Sequence, residues 1–254
     1  MSESQKTVLI TGATSGFGLS TAKLLAEEGH KLILVARRAE RLEELKKSLN
    51  TDVYTAAVDV TDKKQVQAFF DTLPEGFQHI DVLFNNAGLA RGMDPAQDVS
   101  LEDWEKMVDT NVKGLLYVLR PTLEIMKAQK SGLIINTGSV AAHLPYKGGN
   151  VYGATKAFVR QLSRNLRIDL FGTGIRITNL EPGAAQTEFA TVRFQDQQKA
   201  NDFYKGWKPL TPEDVAKTVV WVINQPSHVN VDNIEIMPLD QTYAGIMTNK
   251  QETV

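Results

Sequence analysis

The sequence predicts an α/β fold: a doubly wound parallel sheet of about seven strands in one domain, with helices on both faces. Three observations predict it. Short apolar, β-branched runs alternate with helical patterns along the chain. A glycine-rich loop joins the first apolar run to the first helical pattern, and polar side chains follow several of the later runs.

The strands are predicted from runs of Val, Ile and Leu, and two helices have clear start signals. Ser100 followed by Asp103 resembles a capping box, and Thr211-Pro212-Glu213-Asp214 combines a cap, a first-turn proline and acidic residues. We find neither internal repeats nor a linker, so the whole of residues 1–254 is expected to form one domain. The predicted strands are residues 7–11, 31–36, 53–58, 80–85, 132–137, 175–180 and 233–237.

The first strand-to-helix junction carries the pattern G-x-x-x-G-x-G at Gly12, Gly16 and Gly18. Glycines in such a loop let a diphosphate approach the backbone, and the helix that follows directs its amide groups at the same anion. Glycines also serve ordinary tight turns, but at this position they favour dinucleotide binding. The other loop residues expected to contact the dinucleotide are Thr14, Ser15 and Phe17.

The second strand ends without the carboxylate that NAD-preferring sites offer to the ribose 2′-hydroxyl, and Arg37 and Arg38 follow it. Two guanidinium groups at this point can pair with a 2′-phosphate. The alternative is that they only open the exposed helix of residues 40–47. We prefer the first interpretation, which predicts NADP(H) as the cofactor.

Composition excludes several function classes. The 254 residues are 42% hydrophobic with a formal charge of −2, and a basic stripe for nucleic acid or an acidic membrane surface is absent. There are no cysteines, so disulfides and thiolate metal sites are excluded, and we expect no resident metal. Residues 1–6 lack an apolar signal core, and no stretch approaches the ~20 apolar residues of a membrane span. We therefore expect a cytoplasmic protein with a small-molecule substrate.

Four predicted strands end in polar groups, at the edge of the sheet where ligands gather in such folds. Asp59 follows the third strand, Asn85 and Asn86 close the fourth, Ser139 follows the fifth, and Glu181 closes the sixth. Each of these residues, taken alone, could be a helix cap or a turn residue. Their combination with the glycine loop favours a functional interpretation.

Tyr152 and Lys156 lie four residues apart, which stacks a phenol and an ammonium on one face of a helix. A free tyrosine ionises near ~10, and a nearby cation favours the phenolate, so we expect Lys156 to lower the pKa of Tyr152. Such a pair can act as a general base. The alternative is a solvated tyrosine beside an unrelated surface lysine.

Taken together, these motifs resemble the short-chain dehydrogenase/reductase family in order and approximate spacing over nearly the whole chain. The resemblance implies a Rossmann-like fold and hydride transfer between C4 of a nicotinamide and a carbinol or carbonyl carbon. It also implies that Tyr152 is the acid/base, that Ser139 binds the substrate oxygen, and that Asn111 holds a water connecting Lys156 to solvent. The cofactor contacts it implies, beyond the glycine loop and the arginines, are Asp59, Val60, Asn86, Ala87, Gly88, Tyr152, Lys156, Pro182, Gly183 and Thr187.

Finer stretches resemble the NADP-dependent 3-hydroxy acid dehydrogenases of bacteria and yeast: residues 145–161, 187–194, Met237-Pro238 and 243–245. That group oxidises L-serine, L-allo-threonine and 3-hydroxyisobutyrate-type acids, or reduces the matching 3-oxo acids and aldehydes. A substrate carboxylate needs a cation, and Arg193 is the first candidate, with Lys147 second. We expect residues 186–210 to form a lid. His143 could line the mouth of the pocket, but ordinary loop hydrogen bonds account for it better.

The sequence alone leaves other functions open. Within enzymes, the rivals are reductases of 3-oxoacyl-carrier-protein, sugar or steroid ketones. A non-catalytic NADP(H) sensor is a remote alternative, since such proteins usually lose the tyrosine or the lysine, and both are present here. Helical faces such as those of residues 107–119 and 158–166 could also serve assembly alone. Assembly is compatible with catalysis, and the resemblance favours a homotetramer.

Overall fold

The structure, a computed structural model, describes residues 5–243 and 247–248. Its centre is a parallel sheet of seven strands in the order β3-β2-β1-β4-β5-β6-β7. Residues 1–4, which belong to the segment expected to lack a signal core, lie outside the described residues. So do Ala244 and Gly245, which carry part of the resemblance. The strands are β1 Thr7–Thr11, β2 Lys31–Ala36, β3 Val53–Ala57, β4 Val82–Asn85, β5 Gly132–Thr137, β6 Ile175–Pro182 and β7 Asn233–Ile236, and a separate antiparallel pair is formed by β8 Gln241–Thr242 and β9 Met247–Thr248.

Helices connect the strands and cover both faces of the sheet. A π-helical turn, Asp109–Gly114, joins α4 to α5, and short 3₁₀ turns occupy Glu75–Phe77 and Val140–Ala142. Among the described residues, we find no helix with the length and apolar character needed to cross a membrane. The helices are α1 Gly16–Glu27, α2 Ala39–Ser48, α3 Lys63–Asp71, α4 Leu101–Val108, α5 Leu115–Gln129, α6 Asn150–Asp169, α7 Glu188–Phe194, α8 Gln197–Phe203 and α9 Pro212–Ile223.

Two apolar cores form because successive strand residues point to opposite faces of the sheet. Val8 and Ile10 of β1 face the core covered by α1, α2 and α9, whereas Leu9 faces the core covered by α3, α5 and α6. All three side chains are fully buried. Complete burial of a Leu or Ile side chain stabilises the fold by ~1.5–3 kcal/mol, so both layers of helices are held to the sheet by many such contributions.

The predicted strands are all present, with differences at their ends. The fourth strand begins at Val82 instead of residue 80, because the Ile80 amide donates to the side chain of Gln129 and not to a neighbouring strand. The predicted capping box of α9 is confirmed, with reciprocal bonds between Thr211 and Asp214. Ser100 caps α4 by accepting a hydrogen bond from the Asp103 amide.

The strand order determines where a ligand can bind. From β1 the chain moves outward to β2 and β3, and then returns to place β4 on the other side of β1. The connections after β1 and β4 therefore leave in opposite directions and open a crevice at their carboxyl ends. The glycine loop after β1 and the Asn86–Gly88 loop after β4 lie at this crevice.

Candidate active site

At two positions the glycine loop adopts a backbone conformation that favours glycine. Gly12 and Gly16 have φ angles of +67° and +49°, in the left-handed region. A Cβ atom on Gly18 would lie 2.5 Å from the carbonyl oxygen of Gly12, so the first turn of α1 packs directly on the loop. The amide groups of that first turn have no partners within the helix. The loop can thus bring backbone donors against a diphosphate.

The loop after β4 is fixed to the end of β1 by Thr11. The Thr11 hydroxyl oxygen accepts hydrogen bonds of 2.9 Å from the amides of both Asn86 and Ala87. The Asn86 side chain donates to the Thr11 carbonyl at 2.9 Å. This arrangement holds the wall of the crevice beside the glycine loop in place before any ligand binds.

The two arginines after β2 have different environments. Arg38 is already bonded, with Nε and Nη2 donating to Thr14 and Nη1 donating to Glu188 at 3.0 Å. Arg37 is exposed, and within the described part of the chain its guanidinium has no hydrogen-bond or ion-pair partner. Arg37 is therefore the freer donor for an incoming phosphate, while Arg38 also braces the glycine loop. Asp59, on the neighbouring wall, accepts hydrogen bonds from the amide and hydroxyl of Thr61.

Tyr152, Lys156 and Ser139 meet at the buried end of the crevice. The Lys156 Nζ lies 5.9 Å from the centre of the Tyr152 ring and donates to the Thr137 carbonyl at 2.7 Å. The Ser139 hydroxyl accepts from the Ala141 amide at 3.1 Å and lies near enough to the Tyr152 phenol to lower its pKa. Tyr152 and Lys156 are 9% and 5% exposed, so the alternative of a solvated tyrosine beside a surface lysine is wrong.

Burial controls the protonation of this pair. It raises the pKa of Tyr152 to about 12; the negative charge that Tyr146 can acquire adds to this, while the Ser139 hydrogen bond and the Arg193 charge oppose it. Burial also lowers the pKa of Lys156 to about 8. The predicted lowering of the Tyr152 pKa is therefore wrong, because desolvation of the phenol outweighs the Ser139 hydrogen bond and the Arg193 charge.

Asn111 lies in the π-helical turn behind this group. Its side chain accepts from the Leu89 amide at 2.9 Å and donates to the Leu89 carbonyl and the Thr155 hydroxyl. A Cβ atom on Gly88 would lie 3.3 Å from the Asn111 Oδ1 and 3.5 Å from the Lys156 Nζ. Asn111 and Lys156 thus border the same small space beside Gly88.

The loop after β6 forms the wall opposite the glycine loop. The Gly183 amide donates to the Ile236 carbonyl at 2.8 Å, which keeps the residues after Pro182 against β7. Thr187 caps α7 by accepting from the Phe189 amide, and a Cβ atom on Gly16 would lie 3.4 Å from the Thr187 side chain. Thr187 therefore faces the glycine loop across the crevice.

Arg193 of α7 reaches the catalytic group from the far side. Its Nη2 donates to the Tyr146 hydroxyl at 2.7 Å, and its Nε donates to the Gly92 carbonyl at 3.0 Å. The guanidinium carbon lies 5.4 Å from the ring centres of both Tyr146 and Tyr152. A cation is therefore held directly over the phenol, whereas Lys147 is exposed and its side chain contributes nothing to the crevice.

The crevice encloses a cavity of about 420 Å³. Among the described residues, the walls of this cavity include every predicted site residue except Gly18, Asn111 and Lys147. Gly18 supports the glycine loop from below, and Asn111 lies behind Gly88. A cavity that joins a glycine loop to a buried Tyr-Ser-Lys group has the form of a site for a dinucleotide and a small substrate together.

Comparison with known proteins gives the family. The family model described as short chain dehydrogenase matches residues 6–198. The chain belongs to the short-chain dehydrogenase family. Serine 3-dehydrogenase of Agrobacterium fabrum is 50% identical over 96% of this chain and 98% of its own length. NADP-dependent 3-hydroxy acid dehydrogenase of Escherichia coli K12 is 50% identical over 96% of this chain and 99% of its own length.

Two solved structures have the same fold. The closed form of a serine dehydrogenase complexed with NADP⁺ is 50% identical, with a TM-score of 0.93, over 96% of this chain and all of that one. The serine dehydrogenase of Escherichia coli is 47% identical, with a TM-score of 0.83, over 93% of this chain and all of that one.

Several walls of this short-chain dehydrogenase site were not assigned from the sequence. Tyr146, Phe189 and Tyr204 line the substrate end, and the Phe189 ring lies 5.6 Å from that of Tyr152. Arg91 also lines the cavity and donates to the Val192 carbonyl at 3.0 Å. No sequence motif marks these residues, because they come together only when the segment after β6 packs against the loops after β4 and β5.

His143 does not line the cavity, in agreement with the expectation of ordinary loop interactions. Its Nε2 lies 3.0 Å from a Glu235 carboxylate oxygen, and its Nδ1 lies 3.9 Å from the buried Glu181 carboxylate. The three side chains approach one another closely enough to share a cation, but the Arg160 guanidinium lies 3.6 Å from Glu181 and already supplies positive charge there. The cluster ties the end of β6 to the loop after Ser139.

Proposed function

We propose that this short-chain dehydrogenase is an NADP-dependent oxidoreductase that acts on the 3-hydroxyl carbon of small 3-hydroxy acids such as L-serine, L-allo-threonine and 3-hydroxyisobutyrate, or reduces the matching 3-oxo acids and aldehydes. The observation that carries the proposal is the Arg193 guanidinium held 5.4 Å from the Tyr152 ring, beside Ser139, within one cavity. It places a carboxylate partner next to a proton donor. The names of the relatives at 50% identity support the same substrate class.

The cavity residues fit NADP(H). A side chain at Gly18 would collide with the Gly12 carbonyl, and one at Gly12 would crowd Asn86, so glycine at these positions keeps the loop backbone accessible to a diphosphate. Arg37 offers an exposed guanidinium for a 2′-phosphate, and Arg38 adds positive charge beside it. When bound, the cofactor supplies hydride acceptance or donation at C4 of the nicotinamide.

The chain's own residues handle the proton and the orientation of the substrate. Ser139 donates a hydrogen bond to the substrate oxygen and holds it against Tyr152. In reduction the Tyr152 phenol gives its proton to that oxygen, and in oxidation the phenolate removes the hydroxyl proton. Lys156 binds the ribose hydroxyls on the nicotinamide side, and its charge compensates the phenolate.

Proton exchange with solvent needs a path from this buried group. We assign Asn111 the task of holding a water in the space beside Gly88 that it shares with Lys156. The Asn111 carbonyl oxygen has a second lone pair after accepting from Leu89, so it can accept from that water. The relay would then run from Tyr152 through Lys156 to the water.

The substrate carboxylate is assigned to Arg193, while Phe189 and Tyr204 form the apolar side of the pocket. We further propose that the chain is one NADP-binding domain over residues 1–254, with residues 186–210 as a lid in its closed position. The lid assignment is supported by the contacts that fasten α7 to Arg38 at one end and to Gly92 at the other. We also infer a cytoplasmic homotetramer.

An assay of the purified protein with NADP tests the function. Serine, allo-threonine, 3-hydroxyisobutyrate, 3-hydroxypropionate and neutral secondary alcohols would be compared by the absorbance of reduced cofactor. We expect the hydroxy acids to react with the highest kcat/KM. Tyr152→Phe should lower kcat by at least ~10²-fold while NADPH binding, followed by its fluorescence, persists. Turnover only of neutral alcohols, or comparable turnover in the variant, would contradict the proposal.

A further inference from the structure

We propose that Glu188 and Arg41 are positioning residues that retain the cofactor by fastening the first turn of the lid to α2. The two ion pairs of Glu188, with Arg38 and with Arg41, form what we call the Glu188 bridge. The proposal rests on the proposed function, since it takes the cavity to hold NADP(H). It concerns a step that neither Tyr152 nor Ser139 controls, namely the release of the cofactor.

In the Glu188 bridge, the two oxygens of one carboxylate pair with two different guanidinium groups. One oxygen lies 3.0 Å from Arg38 Nη1, and the other lies 2.8 Å from Arg41 Nη1. Burial raises the pKa of Glu188, but the hydrogen bonds from the two arginines outweigh this and leave the pKa below its ordinary value. The carboxylate is therefore ionised at neutral pH, and the bridge is present whenever the lid lies in this position.

The bridge joins elements that are distant in the chain and face each other across the crevice. Glu188 is the first residue of α7, directly after Thr187, which lies opposite Gly16 of the glycine loop. Arg38 is the N-cap of α2 and also holds Thr14 of that loop. The bridge thus spans the opening beneath which the adenosine half of a dinucleotide would lie.

The other end of α7 is fastened differently. The Gly92 amide donates to the Arg193 carbonyl at 2.8 Å, and the Arg193 Nε donates back to the Gly92 carbonyl at 3.0 Å. These bonds hold the lid to the loop after β4. Of the two attachments, the bridge is the more exposed, because its three side chains are 41–49% exposed. Its opening would free the adenosine end of the crevice.

Arg41 allows the bridge to be tested without altering the cavity. Of the residues in the bridge, Arg38 and Glu188 line the cavity, whereas Arg41 does not. Its contact with Glu188 is the sole hydrogen bond or ion pair that the structure gives its guanidinium within the described residues. Arg41 therefore touches the cavity wall only through Glu188, and comparing NADPH with NADH separates this contact from a direct attraction between the Arg41 charge and the 2′-phosphate.

The test measures the release of NADPH and of NADH from the full-length protein by stopped-flow fluorescence. We expect Arg41→Gln and Glu188→Gln to accelerate release of both cofactors by roughly three- to tenfold, since exposed ion pairs contribute modestly. The double variant should release no faster than Glu188→Gln, because both changes remove the same contact. Arg41→Lys should restore part of the slow release.

Lys106→Gln is the matched control, since it removes an exposed ion pair with Glu102 on α4 outside the cavity, and it should leave release unchanged. Unaltered release in both Arg41→Gln and Glu188→Gln would overturn the proposal. The proposal would also be overturned if Glu188→Gln released NADPH more slowly and NADH at an unchanged rate, since that result would mean that Glu188 acts by repelling the 2′-phosphate. Should wild-type protein fail to bind either cofactor, the proposed function itself would fall. If Glu188→Gln does not fold, the exposed Arg41 variants still decide the question.

Discussion

At the residue scale, the high pKa of Tyr152 determines how each direction of the reaction responds to pH. Because that pKa is about 12, the phenol keeps its proton near neutrality and is ready to donate it in reduction. Oxidation needs the phenolate, whose fraction rises about tenfold per pH unit below the pKa. Lys156, with a pKa of about 8, loses its charge above that pH and then no longer compensates a phenolate.

We therefore expect kcat/KM for oxidation of a 3-hydroxy acid to rise about tenfold from pH 7 to pH 8 and to level off above pH 8, where Lys156 loses the charge that compensates the phenolate. The value for reduction of a 3-oxo acid should stay level up to about pH 8, the pKa of Lys156, and fall above it. Initial rates in both directions across this range would check the prediction, because kcat/KM reports ionisations of the free enzyme. An oxidation rate that declines through the range would contradict this account of Tyr152.

Substrate selection is tested at a second residue, Arg193. Loss of a charged hydrogen bond costs ~1.5–3 kcal/mol, so Arg193→Ala should lower kcat/KM for 3-hydroxy acids by about 10- to 100-fold more than for neutral alcohols. Lys147→Ala removes an exposed cation outside the cavity and should leave that ratio unchanged. An equal loss for both substrate classes in Arg193→Ala would remove the assigned carboxylate partner.

Single residues were predictable from the sequence where a local pattern carries the chemistry. The spacing of Tyr152 and Lys156 places them on one helical face in any α6, and Ser139 follows a recognisable strand. The direction of the Tyr152 pKa shift was not predictable, because it depends on burial beneath a segment far along the chain. Glu188 was missed for the same reason: its partner Arg41 is 147 positions away.

At the element scale, the junction of β1 and α1 depends on the absence of a side chain at Gly18. Gly18→Ala would place a Cβ 2.5 Å from the Gly12 carbonyl oxygen, and such overpacking costs ~1–3 kcal/mol. We expect a lower Tm and at least a tenfold weaker affinity for NADPH, measured by thermal unfolding and fluorescence titration. Gly76→Ala is the control, since no atom lies within 4 Å of its added Cβ. Unchanged NADPH affinity in Gly18→Ala would mean that the loop does not hold the diphosphate.

Elements were predictable where burial and periodicity agree. The strands of the sheet are nearly continuous apolar runs because both faces are covered, and Thr211 with Asp214 marks the start of α9. The short helices α7 and α8 were expected only as an undivided lid. Their few turns are stabilised by contacts with the rest of the fold, such as the Arg193–Gly92 pair, and such contacts leave no local pattern.

At the scale of the whole molecule, the strand order places the site, although no local pattern encodes that order. The sheet brings the carboxyl ends of β1 to β6 together, so residues at or after the ends of six strands line one cavity. The sequence predicted which strand ends would carry polar groups, and the known behaviour of parallel sheets predicted that they would meet. The pairing of β8 with β9 beside this end was not predicted, because each strand has only two residues.

The proposed homotetramer is also a property of the whole molecule. Three large apolar side chains of α6 and the turn after it are exposed: Phe158 by 37%, Ile168 by 75% and Phe171 by 83%. Scattered apolar residues are normal on a surface, but three along one helix and its end favour a protein contact. The same helix carries Tyr152 and Lys156 at its other end, so assembly through α6 would brace the catalytic group.

We expect sedimentation to give a particle of four chains and Ile168→Glu/Phe171→Glu to shift it toward smaller species, because a buried contact cannot hold unpaired carboxylates. Lys47→Glu, a change of charge on the exposed side of α2, should leave the particle mass unchanged. If α6 is braced by assembly, the dissociated variant should also lose kcat while its affinity for NADPH, which depends on the distant glycine loop, is retained. A monomeric wild-type chain at micromolar concentration would refute the tetramer, and the catalytic group would then have to be held by the packing of α6 on the sheet alone.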